Sequence, residues 1–542
     1  MDSLHTLYPS IDGNKASRDE MVSYLQYVLE QLDKMKDPNS LILGEEQLNS
    51  DSKTYYHMLA EQAFIPEKGH AIDQTLHQLI KLSEGHRVSN SNYLANASSM
   101  PNTASLVANF LMTLLNGNNL WDVEGSTSAN VETQIVSMLS KLIGFDAKKS
   151  GGYTTWGGQG ATFTSLRIAI SKRYPEANKS GVPRNLYCFC SELSHYSLHK
   201  SMEATGLGTD HLIKIKANAD HSINIDDLRK QMETVIADGG VPLYVLTTMG
   251  TTDTFGIDSI KEVKELLTEL EHKYKLNDIY LHADTAMGGM FAFFNEYDFS
   301  ANPLNIEKDV LDQLTNIHDK YQHVKLADSL VFDFHKLGQT PYVSSLFLLQ
   351  NKSDLQAVDL HPEETPYVGN KGFGHYHTSY TLECSRAGTS IPIYASLLTF
   401  GVEGYQRLLA NYLSINLAFR KRLKTEFKFV AITNELSPIT TFRFYQDGVN
   451  WEEEKYGLST QQQIQSTNEL NEKLIESMGV DRKDLYFGST RKQCTVRAID
   501  TNEQVNITSH KFFSISPYTS IEDMDRYFRF LHKHVDELLV MK

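Results

Sequence analysis

Two residues with complementary chemistry, a lysine and an aspartate, each follow a short apolar run of the chain. Lys336 ends the motif Asp-Phe-His-Lys, directly after the apolar run 329–332. Asp284 lies in the motif His-Ala-Asp-Thr-Ala, directly after the apolar run 279–281. A lysine amine that a strand delivers into a turn can condense with a carbonyl compound. A carboxylate on the neighbouring strand can hold a proton on a ring nitrogen.

Pyridoxal 5'-phosphate (PLP) is a cofactor that requires both groups. Its aldehyde binds the lysine, and the carboxylate keeps its pyridine ring protonated, so that the ring can accept electrons. Most lysines, however, are solvated surface cations. An aspartate in a turn is more often a helix cap or part of a surface ion pair. The pair Lys336 and Asp284 therefore needs support from the rest of the chain.

Further residues that could bind such a cofactor follow other strand-like runs. A glycine-rich turn begins the helical stretch 160–173, where backbone N–H groups and the helix N-terminus could hold a phosphate. His195 follows the run 186–190 and could stack on an aromatic ring. Thr251 follows the run 243–247 and could contact the 3-oxygen of the cofactor or the substrate. The predicted phosphate contacts are Gly157, Gly158, Gln159, Gly160, Thr162, Ser329 and His335.

Each of these residues also has an ordinary structural explanation, such as a capping turn or a hydrogen-bonded histidine. Their order along the chain decides between the two interpretations. The glycine-rich turn, His195, Thr251, Asp284 and Lys336 follow successive strands, and open α/β sheets bind ligands at the carboxyl ends of their strands. This order predicts a single PLP site, with His335 acting at the phosphate or in proton transfer.

The spacing of apolar residues predicts the fold that would position this site. Short β-branched and aromatic runs alternate with helical stretches such as 224–237 and 258–274, which predicts an α/β fold with a mostly parallel sheet. The predicted strands are 186–190, 212–215, 243–247, 279–281, 329–332 and 344–349. The predicted organisation is a helical N-terminal segment (1–95), a large PLP-binding domain (96–385) and a smaller α+β C-terminal domain (386–542).

The composition narrows the possible partners and the location of the protein. The chain has 542 residues, 41% hydrophobic content and a net charge of −16, which argues against nucleic acid or an anionic membrane as a partner. It contains no apolar run long enough to span a bilayer and no signal-peptide pattern at its N-terminus. Its four scattered cysteines predict neither a disulfide framework nor a metal site. A cytoplasmic protein is predicted.

The motifs resemble those of the group II PLP-dependent amino acid decarboxylases of fold type I, and most closely the bacterial and archaeal tyrosine decarboxylases. The chain has Phe334 where the family's Asp-Pro-His-Lys motif has proline, and Gln159 where many relatives have serine or threonine. The resemblance implies that Lys336 binds the cofactor's aldehyde and Asp284 its ring nitrogen. It also implies that His195 and Ala286 lie on opposite faces of the ring.

The same resemblance implies further roles. Tyr367, in the loop 353–380, would be the proton donor, with Tyr376 and Tyr380 as nearby alternatives. Arg386 would make a structural contact or bind the substrate carboxylate. Two other predicted substrate contacts are Asn96 and Ser98, in a segment of small and polar residues. The family builds each active site from two subunits, which implies a homodimer.

The predicted function is the decarboxylation of an L-amino acid to an amine and CO2. The resemblance favours a tyrosine-like aromatic substrate, whereas the polar segment around Asn96 would equally suit an acidic or polar amino acid. Another PLP carbon–carbon lyase is an alternative. A desulfurase would need a reactive loop cysteine, for which only Cys384 qualifies. A non-enzymatic relative would be expected to lack Lys336 or Asp284, and both are present.

Overall fold

The fold is that of a computed structural model, which describes residues 7–9, 12–45, 52–360, 364 and 376–540. The chain separates into two compact units, Met1–Tyr93 with Ser477–Tyr486, and Leu94–Glu476 with Phe487–Lys542. The predicted domain boundaries near residues 95 and 385 stay predictions. Among the described helices, none is both long enough and apolar enough to cross a bilayer.

The first unit contains a helical N-terminal segment. Its helices are α1 (Lys15–Met35), α2 (Ser52–Gln62) and α3 (Ile72–Leu82). The side chain of Asn14 caps α1 by accepting a hydrogen bond from the backbone N–H of Ala16, as expected of a helix N-cap. No described residue of α1 or α3 is buried, so these helices contribute little to a core within this chain.

A seven-stranded sheet forms the centre of the second unit. Strands are numbered from β1 (Tyr93–Leu94), and the sheet contains β2 (Gly151–Thr155), β3 (Leu186–Ser191), β4 (Leu212–Ile215), β5 (Val241–Thr248), β6 (Tyr280–Asp284), β7 (Ser329–Asp333) and β8 (Ser345–Leu349). Their order is β2-β8-β7-β6-β5-β3-β4. Six of the seven strands run in the same direction, and β8 runs opposite to them. The predicted α/β fold with a mostly parallel sheet is confirmed.

Helices separate these strands along the chain. They are α4 (Thr103–Leu115), α5 (Asp122–Ile143), α6 (Gly158–Arg173), α7 (Ala177–Ser180), α8 (Ser197–Thr205), α9 (Ile225–Ala237), α10 (Ile260–Tyr274) and α11 (Lys308–Tyr321). Short 3-10 helices cover Thr209–His211, Gly289–Phe294, Val324–Leu326 and Lys352–Val358. Helix α10 buries residues at helical spacing, such as Ile260, Val263 and Leu267, so its apolar stripe faces the core.

Two strands of the sheet differ from the sequence-based prediction. Strand β2 was not predicted, because Gly151 and Gly152 are typical of a turn. In the sheet, a Cβ at Gly152 would collide with the backbone of Phe347, so glycine permits the close approach of β8. Strand β6 continues through Asp284 rather than ending at residue 281. The sheet itself therefore carries this carboxylate to its end.

The C-terminal region combines helices with a second, antiparallel sheet. Its elements are α12 (Ser390–Glu426), β9 (Val430–Ile432), β10 (Thr440–Phe444), α13 (Trp451–Lys455), α14 (Gln461–Val480), β11 (Tyr486–Thr490), β12 (Thr495–Arg497), β13 (Gln504–Asn506), β14 (Ser509–Phe512), a 3-10 helix Ile521–Asp523 and α15 (Met524–Val540). Strand β10 pairs with β9 and β14, and β14 pairs with β11. Strands β12 and β13 form a separate ribbon.

Candidate active site

Lys336 lies in the turn that follows β7, beside the last residue of that strand. Its Nζ is 2.8 Å from Oδ2 of Asp333, and its side chain is 24% exposed. Burial disfavours the ammonium, but the charge and hydrogen bond of Asp333 and the charge of Asp284 outweigh it, so the pKa of Lys336 is raised. The amine is therefore held as a cation by its contact with Asp333 and by the charge of Asp284.

Asp333 is the centre of this arrangement, and the sequence analysis gave it no role. Its carboxylate accepts a hydrogen bond from Oγ of Ser345 at 2.6 Å and lies 3.8 Å from Nε2 of His335. Burial raises the pKa of Asp333. The charges of Lys336 and His335, together with the hydrogen bonds that Asp333 accepts, outweigh this effect, so the pKa is lowered overall. Its place at the start of the motif that ends in Lys336 was the signal available.

Asp284 ends β6, the strand beside β7. Its Oδ1 accepts a hydrogen bond from the backbone N–H of Ala286 at 3.1 Å. Burial raises the pKa of Asp284, although the charges of Lys336 and His195 oppose this shift. Burial lowers the pKa of His195, and the charges of Asp284 and Lys336 act on it in opposite directions. Lysine, aspartate and histidine therefore lie close enough together to influence one another's ionisation.

The turn after β3 carries His195 to the same edge of the sheet. Oγ of Ser194 lies 2.8 Å from Oγ1 of Thr248 at the end of β5. Nδ1 of His195 accepts a hydrogen bond from the backbone N–H of Ser197 at 3.2 Å, so Nδ1 carries no proton in this arrangement. This contact orients the imidazole through the first turn of α8.

The glycine-rich turn begins α6 next to Asp333. Gly157 has φ of +109°, a value that L side chains rarely adopt. A Cβ at Gly158 would lie 3.1 Å from Oδ2 of Asp333, so the turn and the lysine's partner are in contact. The side-chain amide of Gln159 donates to the carbonyl oxygen of Ser197 at 3.0 Å. The first N–H groups of α6 have no acceptor within the helix.

Some predicted contacts have other partners in the structure. Ser329 begins β7, at the opposite end of the strand from Asp333, and its hydroxyl bonds Nδ1 of His282 at 2.8 Å. The predicted phosphate role of Ser329 is therefore wrong, because strand direction takes it away from the site. The hydroxyl of Thr162 donates to the carbonyl oxygen of Gly158 within α6. Thr251 bonds Thr254 and the N–H of Gly256 within its own turn, and its cofactor contact stays a prediction.

Arg386 is enclosed in a buried network. Its Nη2 lies 2.8 Å from Oε1 of Glu132, and its other contacts include the carbonyl oxygens of Asn119 and Thr154. The side chain is almost completely buried. These contacts give Arg386 the structural role that the sequence left open, and they contradict its prediction as a substrate contact.

The comparison with known proteins identifies the family. A sequence signature described as the pyridoxal-dependent decarboxylase conserved domain matches residues 56–445, well over half of the 542 residues. The chain belongs to the pyridoxal-dependent decarboxylase family. The predicted family and the predicted cofactor, PLP, are thereby confirmed.

Individual relatives of this decarboxylase family member are distant. The chain is 24% identical to an L-2,4-diaminobutyrate decarboxylase of Rhizobium meliloti (strain 1021) over 56% of this chain and 55% of the relative. It is 25% identical to an L-tyrosine decarboxylase of Enterococcus faecium over 54% of this chain and 49% of the relative. The chain thus matches about half the length of these relatives.

A solved structure supports the fold. The crystal structure of Catharanthus roseus tryptophan decarboxylase in complex with L-tryptophan superimposes with a TM-score of 0.74 at 16% identity, covering 96% of this chain and 98% of that one. The predicted fold type I is confirmed by this likeness.

The residues at the strand ends suit the family's cofactor. Lys336 supplies a primary amine, Asp284 a buried carboxylate and His195 an aromatic ring, which together match the groups that PLP requires. The hydroxyl of Ser197, beside the amide of Gln159, is buried and has no hydrogen-bond partner among the described residues. An unpartnered buried hydroxyl is costly, so a bound group that accepted its hydrogen bond would lower the free energy.

A buried lysine next to the predicted substrate segment was missed by the sequence analysis. Nζ of Lys511 is 2.9 Å from Oδ1 of Asn96 and 3.0 Å from Oδ1 of Asp253, and its side chain is 2% exposed. The segment after Asn96 packs against the lysine turn, since Oγ of Ser99 donates to the carbonyl oxygen of His335 at 2.9 Å. Ser98 lies in this segment and is half-buried.

Proposed function

We propose that this protein catalyses the PLP-dependent decarboxylation of an amino acid to an amine and CO2. The observation that carries the proposal is Lys336, a partly exposed cation whose Nζ lies 2.8 Å from the carboxylate of Asp333 and whose pKa is also raised by the charge of Asp284. When bound, the cofactor supplies an electron sink for the electron pair left by departing CO2. The protein's own contribution is to hold the cofactor, orient the substrate and manage protons.

Each residue of the site has a distinct part in this proposal. Asp284 would hold the proton on the ring nitrogen with its buried carboxylate. His195 would pack against the ring face, and the N–H of Ser197 holds its imidazole in place. Lys336 would hold the cofactor through its aldehyde.

Tyr367 is the proposed donor of the proton that replaces CO2. It lies outside the described residues, but the two alternatives have other roles. The hydroxyl of Tyr376 donates to Glu132. Tyr380 is half-buried, and its ring centroid lies 5.5 Å from that of Tyr153. Replacement of Tyr367 by phenylalanine should preserve substrate binding and abolish amine formation, and continued amine formation would assign the proton to another group.

An aromatic amino acid is the proposed substrate, on the basis of the resemblance to tyrosine decarboxylases. The contact of Lys511 with Asn96 and Asp253 favours the alternative of a polar or acidic amino acid. A substrate carboxylate could take the place of Asp253 beside this buried ammonium, since charge-assisted hydrogen bonds are strong when water is excluded.

The test is a decarboxylation assay on the purified holoenzyme with tyrosine, tryptophan, aspartate, glutamate and 2,4-diaminobutyrate. CO2 release and the amine product are both measured, because another carbon–carbon lyase would give a carbonyl product without stoichiometric CO2. Preference for tyrosine or tryptophan supports the aromatic proposal, and preference for an acidic substrate supports the alternative. Absence of CO2 release from every amino acid would reject the proposed reaction.

We also propose that the active protein is a homodimer. One face of α4 presents a continuous set of exposed apolar side chains, which is unusual on a free surface. They are Leu106, Val107, Phe110, Leu111, Leu114 and Leu115. A second copy of the chain is the proposed partner. Sedimentation analysis should give twice the chain mass, and Leu111→Glu with Leu114→Glu should give monomers, whereas a monomeric wild type would contradict the proposal.

A further inference from the structure

A separate cavity of about 690 Å3 lies where β3 and β4 end, and its lining includes none of Lys336, Asp284 or His195. Its polar lining residues include Glu192, Lys216, Lys455, Tyr456, Arg497 and Gln504, and we call this cavity the basic cleft. We propose that the basic cleft binds a small polyanion that carries phosphate groups and acts as an effector rather than as a substrate.

Two of the three cations that line the basic cleft are not neutralised by the residues that the structure describes. Lys216 and Arg497 form no ion pair with any residue that the structure describes. The nearest carboxylate to Lys455 is that of Glu435, at 4.0 Å and largely exposed. The single acidic group of the lining, Glu192, already accepts a hydrogen bond from the N–H of Ala217 at 3.1 Å. Three cations thus face one occupied carboxylate.

This local excess of positive charge contrasts with the whole molecule. The chain has a net charge of −16, so a random patch of surface is expected to be acidic. A concave site lined by one sign of charge focuses its field and concentrates counter-ions. The local charge of the basic cleft is therefore opposite in sign to the charge that the composition alone predicts.

The three cations are fixed by three different elements. Lys216 follows β4, Lys455 ends α13 and Arg497 ends β12. Gly457 brings two of the walls together, because it has φ of +67° and a Cβ there would lie 3.2 Å from the carbonyl oxygen of Arg497. A side chain at this position would be strained. The backbone positions that carry the cations are thus set before any ligand arrives, which lowers the entropic cost of binding.

The size and the donors of the cleft define the ligand class. Its volume falls within the roughly 300–1,000 Å3 typical of small-molecule sites. Arg497 and Gln504 are cross-strand partners in the β12–β13 ribbon, so their side chains lie on the same face. A planar guanidinium with a neighbouring amide suits the oxygens of a phosphate.

The position of the cleft suggests how an occupant would influence the proposed reaction. Glu192 precedes His195 by three residues, and its backbone N–H donates to the carbonyl oxygen of Ile215 at the end of β4 at 2.8 Å. A polyanion that holds Lys216 would stabilise the end of β4 and, through this hydrogen bond, the turn that carries His195. Binding itself does not depend on the proposed reaction.

The test is titration calorimetry on the PLP-loaded protein with pyrophosphate, ATP and citrate at constant ionic strength. In the PLP-loaded protein the phosphate-binding position of the active site is already occupied, so added phosphate compounds cannot bind there. Saturable binding of pyrophosphate or ATP, at one equivalent per chain, is the expected result. Tighter binding of ATP than of pyrophosphate would place its base against the exposed ring of Tyr456. Binding of citrate alone would overturn the assignment to phosphate.

Matched variants locate the site. Arg497→Glu should weaken pyrophosphate binding at least ~10-fold, equivalent to about 1.4 kcal/mol, and Lys216→Gln should weaken it less. Lys230→Glu is the control, because Lys230 is exposed on α9 outside the cleft and the substitution changes the net charge equally. Absence of saturable binding to the wild type, or equal weakening by Arg497→Glu and Lys230→Glu, would overturn the proposal. Retained cofactor absorbance in each variant shows that the fold and the PLP site are intact.

Discussion

Two buried groups of charged residues in this protein are built on opposite plans. In the C-terminal region, Arg443 and Glu454 form a pair with both side chains fully buried and Nη2 3.0 Å from Oε1. Arg443 also donates to Asn468 and to the carbonyl oxygen of Thr508, and Glu454 accepts from the hydroxyl of Tyr445. Each charged group here is compensated by an opposite charge and by hydrogen bonds within the chain.

The charged groups at the ends of β6 and β7 are only partly compensated by contacts within the chain. The ammonium of Lys336 has one carboxylate contact and is partly exposed. Asp284 accepts one backbone hydrogen bond, although a carboxylate can accept about four. A closed group of charges stabilises one conformation, whereas an open group keeps binding capacity for a ligand. The contrast separates structural charges from functional ones without reference to sequence motifs.

The largest effect that could break this comparison is expected at the open group. Lys336→Ala should remove the visible absorption of bound PLP and lower turnover by at least ~10⁴-fold, in the range found when a covalent nucleophile is removed. The melting temperature of the cofactor-free protein should fall, because the substitution leaves the buried carboxylate of Asp333 without its ion-pair partner. If turnover and cofactor absorption survived, the proposed role of the lysine would be rejected.

Residues of the open group were predictable from the sequence, because each is local to the end of an apolar run. Lys336, Asp284, His195 and the turn at Gly158 needed only the rule that ligands bind where parallel strands end. Ser329 was misplaced because a residue that begins a strand cannot reach the edge where the strand ends. Asp333 was overlooked although it lies in the same motif as Lys336.

The closed contacts were not predictable, because their partners are distant in the chain. Arg386 and Glu132 are separated by 254 positions, and Lys511 and Asn96 by 415. No local pattern in the sequence records such a pairing. Strand β2 was missed for a related reason, since the need for Gly152 arises only when β8 lies beside it.

The closed pair in the C-terminal region should respond in stability rather than in chemistry. Glu454→Gln would leave the buried guanidinium of Arg443 without its counter-charge, which costs about 3–5 kcal/mol. Urea unfolding should show this loss, while KM and turnover per folded molecule should stay close to wild type. An unchanged unfolding midpoint, or a selective loss of activity, would contradict the structural role of this pair.

Arg386 sharpens the comparison, because the sequence allowed either a structural or a substrate contact and the structure places it in a closed network. Arg386→Gln should lower the free energy of unfolding by an amount similar to Glu454→Gln, about 3 kcal/mol or more. KM for the substrate should not rise. A large increase in KM with unchanged stability would restore the substrate role and count against the distinction between open and closed groups.

The smallest expected effect is a pH dependence that separates the two regions. Burial lowers the pKa of His510 to about 3, and Arg443 adds to this shift, whereas burial raises the pKa of Asp258 to about 7. Asp258 accepts the backbone N–H groups of Thr248 and Ile223 at 2.7 and 2.6 Å. The two groups therefore act in opposite directions on the free energy of unfolding.

In the folded state His510 is neutral. Its contribution to the free energy of unfolding is therefore complete above pH ~6.5, the ordinary pKa of histidine. That contribution is lost as the pH falls towards the folded pKa of about 3. For Asp258 the folded state binds the proton more tightly, so stability is lost as the pH rises from ~4 to about 7.

Urea unfolding between pH 5 and 7 should separate the contribution of His510 from that of Asp258. His510→Phe should reduce the acid-side loss by roughly 1–2 kcal/mol, because phenylalanine has no group that binds a proton when the chain unfolds. If the wild type and His510→Phe lost equal stability over this range, the acid sensitivity would have to come from a group other than His510.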